Sequence, residues 1–210
     1  MPDVATHLPL RERKKLRTRQ ALIDTALDLF AERGFDRTTL DDLCDGVEIS
    51  KRTFFRNFAS KEAVAMAPLQ DLWSAFLEQL ERSEPRNTSL LEFLQEALVA
   101  AVRATAIDGW AHRATRSHQL AQHTPSMAAH NLQFCDQTTR SALLVLHREL
   151  DLPDDLRPRL ALDILVAAFH RALDTWTTRT TFDTVDLLTD LHAAFAAIPG
   201  AVTMTAKISR

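Results

Sequence analysis

The chain has 210 residues, 46% of them apolar, enough to build a real core in one or two domains. A net charge of −3 argues against an indiscriminate polyanion binder, no apolar run approaches a membrane span of roughly 20 residues, and the N-terminus lacks the apolar core of a secretory leader. Cys44 and Cys135 lie far apart, with no metal-ligand or redox spacing, so a cytosolic chain with reduced thiols is expected.

Four glycines, no tyrosine and a scarcity of β-branched runs favour helix throughout. Residues 1–10, with Pro2 and Pro9 and no periodicity, are expected to be a flexible N-terminus. A helix follows from about Leu10 to Arg33, with Leu16, Ile23, Leu27 and Phe30 on one stripe and Gly34 as its stop. Phe35 is expected to fold back on that stripe. Thr39 with Asp42 forms a capping pair for a second helix, whose inner face is Leu40, Leu43 and Val47 with Cys44 beside them. A turn near Val47–Ile49 leads to Ser50, which caps a third helix from Lys51 to Phe58. Ser60 caps a fourth beginning at Lys61, which Pro68 interrupts and kinks. Further helices are expected near 69–83, 89–107, 109–122, 126–150, 155–179 and 183–197, with Ser89 and Glu92 as another capping pair. The breaks between them fall at Glu84-Pro85, Asp108-Gly109, Thr124-Pro125, Leu152-Pro153 and Phe182-Asp183. Residues 200–210 are expected to form a flexible tail.

The second and third of these helices make a helix-turn-helix, a device that places side chains on the edges of DNA bases. At 100° per residue, Phe54 and Phe58 share an inner face, which leaves Lys51, Arg52, Thr53 and Arg56 pointing outward. Arginine and lysine donate to guanine O6 and N7, and a threonine methyl meets a thymine methyl. Thr39, Asn57 and Lys61 suit the phosphates, and Ser50 completes the DNA-facing set. A second basic cluster, Arg11, Arg13, Lys14, Lys15, Arg17 and Arg19, crowds the first helix and is opposed only by Glu12. A local basic footprint on an acidic body fits sequence-selective binding to double-stranded operator DNA.

The segments FAERGFDRTTLDDL, ISKRTFFRNF and SKEA make residues 12–66 resemble the DNA-binding domain of the TetR family of bacterial regulators. The resemblance implies an all-α fold of about nine helices. A three-helix DNA-binding domain over 11–66 would precede a helical ligand-binding and dimerisation domain over 67–199. It implies a cytoplasmic bacterial homodimer, typically a repressor released from its operator by a small ligand. The family's base-contacting positions fall on Lys51, Arg52 and Thr53, and its phosphate-contacting ones on Thr39, Phe55, Asn57 and Lys61. The chain departs from the pattern at Glu48, where the family often has glycine, and at Phe55 and Asn57, where it often has tyrosine. Phe55 has no hydroxyl, so its contact with a backbone is confined to van der Waals packing.

Beyond Pro68 the helices carry broad apolar faces. The segments RSHQLAQHTPSMAAH and DLRPRLALDILVAAFHRALDTW resemble the subgroup with acyl-CoA-like ligands, which implies a large, partly apolar effector. Candidate pocket residues are Trp73, Phe76, Trp110, Arg113, Arg116, His118, Phe134 and Trp176, with core packing as the alternative for each aromatic. Leu165, Phe169 and Leu173, with Leu188, Leu191 and Phe195, are candidates for a dimer interface in a four-helix bundle, with burial inside one subunit as the alternative. None of His112, His118, His123, His130, His147 and His170 is paired four apart, so neither a metal nor a cofactor is expected. The chain has no glycine-rich phosphate loop, nucleophile elbow or helical metal pair, so no enzyme is expected. A cysteine-based redox regulator and a regulator without a ligand remain as alternatives. In the mechanism expected, a ligand tilts the helix that begins at Lys61 and spoils the spacing of two recognition helices.

Overall fold

The computed structural model describes residues 9–85, 87–106 and 109–206, which form nine α-helices and no strand. In chain order these are α1 (Leu10–Arg33), α2 (Leu40–Gly46), α3 (Lys51–Asn57), α4 (Lys61–Arg82) and α5 (Leu90–Thr105), followed by α6 (Trp110–Gln122), α7 (Pro125–Glu149), α8 (Arg157–Trp176) and α9 (Thr184–Thr203). The all-α class is therefore as expected. Most of the proposed flexible ends, residues 1–8 and 207–210, lies outside the described residues, as does Asp108 of the Asp108-Gly109 break.

Local chemistry sets the helix ends. Gly34, at φ 85°, ends α1 and donates its N–H to Phe30 O at 3.0 Å. Phe35 then folds back, its ring centroid 4.8 Å from that of Phe30. Thr39 and Asp42 form a reciprocal capping box on α2, and Ser89 and Glu92 do the same on α5. Ser50 Oγ accepts from Thr53 N–H, and Ser60 Oγ accepts from Ala63 N–H, each at 3.2 Å. The turn between α2 and α3 places Glu48 at φ 54°, a left-handed conformation that is costly for any residue but glycine.

Two expectations about the helices change. Pro68 lies inside a continuous α4, where its missing N–H leaves the Val64 carbonyl without that helical partner. α9 runs through Pro199 and Gly200 to Thr203, so the tail does not begin at residue 200; an alanine-rich stretch sustains the helix. α9 is also the one described helix long and apolar enough, by length and composition, to cross a membrane. Its apolar character is spread over many alanines and broken by Asp186, Asp190 and His192, so no continuous run betrays it.

The chain divides into two compact units. The first joins residues 9–69 with Arg116–Leu132, whereas the ligand-binding and dimerisation domain expected from the sequence runs unbroken over 67–199. Its core is built from Leu22, Ile23, Leu27, Phe30, Leu43 and Phe54, all buried. Leu16, expected on the same stripe, is 52% exposed because the first two turns of α1 run past the helices that cover the rest. α2 comes so close to α1 that a Cβ on Gly46 would stand 2.7 Å from Thr25 Cγ2. Arg116 on α6 pairs with Asp28 on α1 at 2.7 Å, and Ser117 Oγ faces Met66 Sδ at 3.9 Å.

The second unit comprises Gln70–Thr115 and the chain from Gln133 onward. In it α8 packs along α9, and α5 packs against both. Trp110 and Trp176 stack with centroids 6.3 Å apart, and Trp176 Nε1 donates to Asp183 O at 2.9 Å.

Candidate nucleic-acid interface

The first unit presents α3 to solvent on one side and buries it on the other. Phe54 is fully buried and Phe58 nearly so, which fixes the roll of the helix. Lys51, Arg52, Phe55 and Arg56 are consequently exposed, and Thr53 and Asn57 are half-buried at the margins. The Arg19 guanidinium lies 5.0 Å from the Phe58 ring centroid, a cation–π contact that joins α1 to the loop after α3.

Each predicted DNA-facing residue has a definite local partner or none. Lys51 Nζ meets Asp41 Oδ1 at 2.8 Å, and that hydrogen bond pushes the Lys51 ammonium above its ordinary range. The Ser50 and Thr53 hydroxyls lie 3.2 Å apart, and Asn57 Nδ2 donates to Thr53 O at 2.7 Å. The Thr39 hydroxyl donates to Asp42 Oδ2 at 2.6 Å, and its N–H reaches the same oxygen at 2.7 Å. The Thr39 N–H and hydroxyl are thus already taken by the chain's own carboxylate. The Thr39 hydroxyl holds the Asp42 carboxyl below its usual range, with the Thr39 N–H and nearby Arg33 adding to the effect.

Lys61 does more inside the fold than its sequence position suggests. Its Nζ donates to Phe35 O at 2.9 Å and to Thr38 O at 2.8 Å, and it sits 4.6 Å from the Phe35 ring centroid. The buried Thr38 hydroxyl donates to Gly34 O at 2.9 Å, so Lys61 and Thr38 together close the loop between α1 and α2. Two of the three Lys61 N–H groups are occupied in this way.

A groove runs between the start of α1 and the end of α3, lined by Arg11, Lys14, Lys15, Thr18, Arg56 and Asn57 among others. Its α1 cations Arg11, Lys14 and Lys15 recur at helical spacing and belong to the basic cluster that crowds the first helix in the sequence. The groove is basic, with Glu12 its one acidic lining residue.

The candidate pocket residues do not gather at one place. Trp73 and Phe76 line a crevice with Cys135, Thr138, Ala142 and Leu162, which admits about one water molecule. Cys135, Thr138, Thr139 and Ala142 share one face of α7 at helical spacing, so that pattern was readable. Trp110 and Trp176 instead pack on each other as core. Phe134 and Arg113 are half-buried in the second unit, whereas Arg116 and His118 belong to the first. There Arg116 is tied to Asp28, and His118 Nε2 lies 3.0 Å from Gln122 Nε2. Among the described residues no three His, Cys, Asp or Glu side chains gather as a metal set.

The dimer candidates are covered inside the single chain, the alternative reading given for them. Leu165, Phe169, Leu173 and Leu191 are at most 1% exposed, Phe195 is 8% exposed, and Leu188 is half-buried, all within the single chain. α8 and α9 pack on each other and on α5, and the Phe169 ring lies 5.1 Å from that of Trp73 on α4. The apolar side chains left outside are Leu160, Val185 and Val202, each more than half exposed.

The family described as bacterial regulatory proteins, tetR family, matches residues 22–67. The HTH-type transcriptional regulator TcmR of Streptomyces glaucescens is 34% identical over 201 residues, which cover 92% of this chain and 84% of that protein. Among solved structures, the complex of SmeT, a Stenotrophomonas maltophilia repressor, with triclosan aligns with a TM-score of 0.53 at 19% identity, over 86% of this chain and 91% of the other. Thermus thermophilus FadR with lauroyl-CoA aligns with a TM-score of 0.50 at 18% identity, over 91% of this chain and 98% of the other. At these identities the two structures speak for a shared fold.

Proposed function

The chain belongs to the TetR family and is a DNA-binding transcriptional regulator, not an enzyme, and on that premise we propose that it is a homodimeric repressor released from a palindromic operator by a small, partly hydrophobic effector. The observation that carries the DNA side is α3: Phe54 and Phe58 anchor it while Lys51, Arg52 and Arg56 face out beside the basic groove of α1. Lys51, Arg52 and Thr53 read base edges in the major groove. Ser50, Phe55, Arg56 and Asn57 lie along the backbone, together with Arg11, Lys14 and Lys15. Thr39 acts by capping α2, and Lys61 acts first by closing the loop before α2, with one N–H left for a phosphate. A protein of this kind works in the bacterial cytoplasm. Selection of bound duplexes from a random pool tests the reading: an inverted repeat is expected, and recovery of unrelated sequences would contradict it.

The dimer uses the outward faces of α8 and α9, around Leu160, Val185 and Val202, because the inward leucines are already buried. Light scattering at micromolar concentration tests this, with twice the chain mass expected and the monomer mass contradicting it. The effector enters at the crevice between Trp73, Phe76 and the α7 face, with no charged side chain among its lining residues. SmeT is seen with triclosan and FadR with lauroyl-CoA, and each fits a site that accepts an apolar body. Because the crevice admits about one water, the effector selects an opened state; a difference in affinity between the two states is what drives release. A thiol switch has no support in the chemistry: burial pushes both Cys44 and Cys135 above the ordinary thiol range and disfavours the reactive thiolate.

A further inference from the structure

We propose that Asp41 is a specificity-determining residue of the DNA-reading surface, holding the Lys51 ammonium in a neutral pair so that Lys51 meets DNA as a fixed hydrogen-bond donor and not as a free cation. This inference rests on the DNA-reading role proposed above.

Lys51 is the first residue of α3, next to Arg52, on the face that the buried phenylalanines turn outward. A lysine there is by default a point charge on a flexible four-carbon stem, and it is drawn to any phosphate. Asp41 reaches across from the first turn of α2, bringing Oδ1 to 2.8 Å from Nζ. The two side chains are 56% and 67% exposed, so the pair stands on the open surface and not in the core. Asp41 takes no part in capping α2, which is the work of Asp42. A bare carboxylate at this place repels the phosphates of every duplex. Paired with Lys51, it cancels one positive charge on the reading face and holds the ammonium in one position. One Lys51 N–H is used, leaving two for acceptors such as guanine O6 and N7. On non-specific DNA the neutral pair releases no counterion, so Lys51 adds affinity only where a base presents the right acceptor.

The experiment compares the full-length wild type with Asp41→Asn, Lys51→Gln and the double variant. Fluorescence anisotropy follows binding to the selected operator and to a scrambled duplex over a range of salt. Surface pairs of this exposure contribute little to stability, so Asp41→Asn is expected to melt like wild type. It is expected to bind the scrambled duplex about 3–10-fold more tightly, with a salt slope steeper by about 0.9, the signature of one added phosphate contact. Operator affinity stays within about 2-fold, so the preference for operator falls; in the Lys51→Gln background the carboxylate stands bare, so Asp41→Asn tightens both duplexes alike and leaves the preference unchanged. An unchanged preference and slope in Asp41→Asn overturns the proposal. So does an equal fall in preference in the Lys51→Gln background, which would show that Asp41 acts without Lys51. A wild type that does not distinguish the two duplexes overturns the DNA-reading role itself.

Discussion

Lys61→Met removes an ammonium while keeping an apolar stem of similar length. The variant loses two charge-assisted hydrogen bonds, to Phe35 O and Thr38 O at 2.9 and 2.8 Å, and a cation held 4.6 Å from the Phe35 ring centroid. Bonds to a charged donor contribute about 1.5–3 kcal/mol each and a surface cation–π contact about 0.5–1. Lys61 is half-buried, so water replaces part of what is lost, and about 2–3 kcal/mol is the expected net destabilisation of the first unit. For a unit of this size that lowers the melting transition by about 10–20 °C. Urea denaturation of the full chain, with hydrogen exchange of the loop between Gly34 and Thr39, reads the effect where it arises. The loop amides should lose protection first. DNA binding well below the transition should keep a salt slope within about one contact of wild type. A variant that melts like wild type, with the loop amides as protected as before, would refute the reasoning whatever its salt slope.

Gly46→Ala introduces a methyl 2.7 Å from Thr25 Cγ2; a cost of about 1–3 kcal/mol in denaturant unfolding is expected, with Thr25→Ser restoring part of it. The Asp42 carboxyl lies below its ordinary value of 3.8 because Thr39 hydrogen-bonds to it. A depressed folded value stabilises above the unfolded value and is lost as pH falls through the folded one. The stability gap between wild type and Asp42→Asn should therefore hold at neutral pH and close below about pH 4 in pH-stepped denaturation, and a gap that widens on acidification would contradict this. Arg52→Ala should reduce operator affinity by about 1–3 kcal/mol and relax preference at one base pair per half-site, as read by repeating the duplex selection.

The reading head was largely legible because its signals are local. Gly34, the Thr39–Asp42 pair, Ser50 and the Phe54/Phe58 spacing each act within a few residues, and all took their expected places. Contacts to the backbone were not legible. Lys61 is engaged by two carbonyls more than twenty residues away, and a carbonyl carries no residue identity. An apolar stripe also does not name its partner. Leu165, Phe169 and Leu173 mark a buried face on α8, but whether a second copy or α9 covers it is a matter of tertiary packing. The same limit hid Arg116, whose partner on α1 lies far back in the chain. Pro68 reads as an interruption because proline removes one helical bond, yet it lies inside a helix long enough to absorb that loss.

Competition between the selected operator and a randomised duplex of equal length, titrated against the full chain at physiological salt, tests the central claim most directly. The account predicts a preference of at least about a thousand-fold for the operator, with affinity falling steeply as salt rises. Equal affinity for the two duplexes, or none for either, would contradict it.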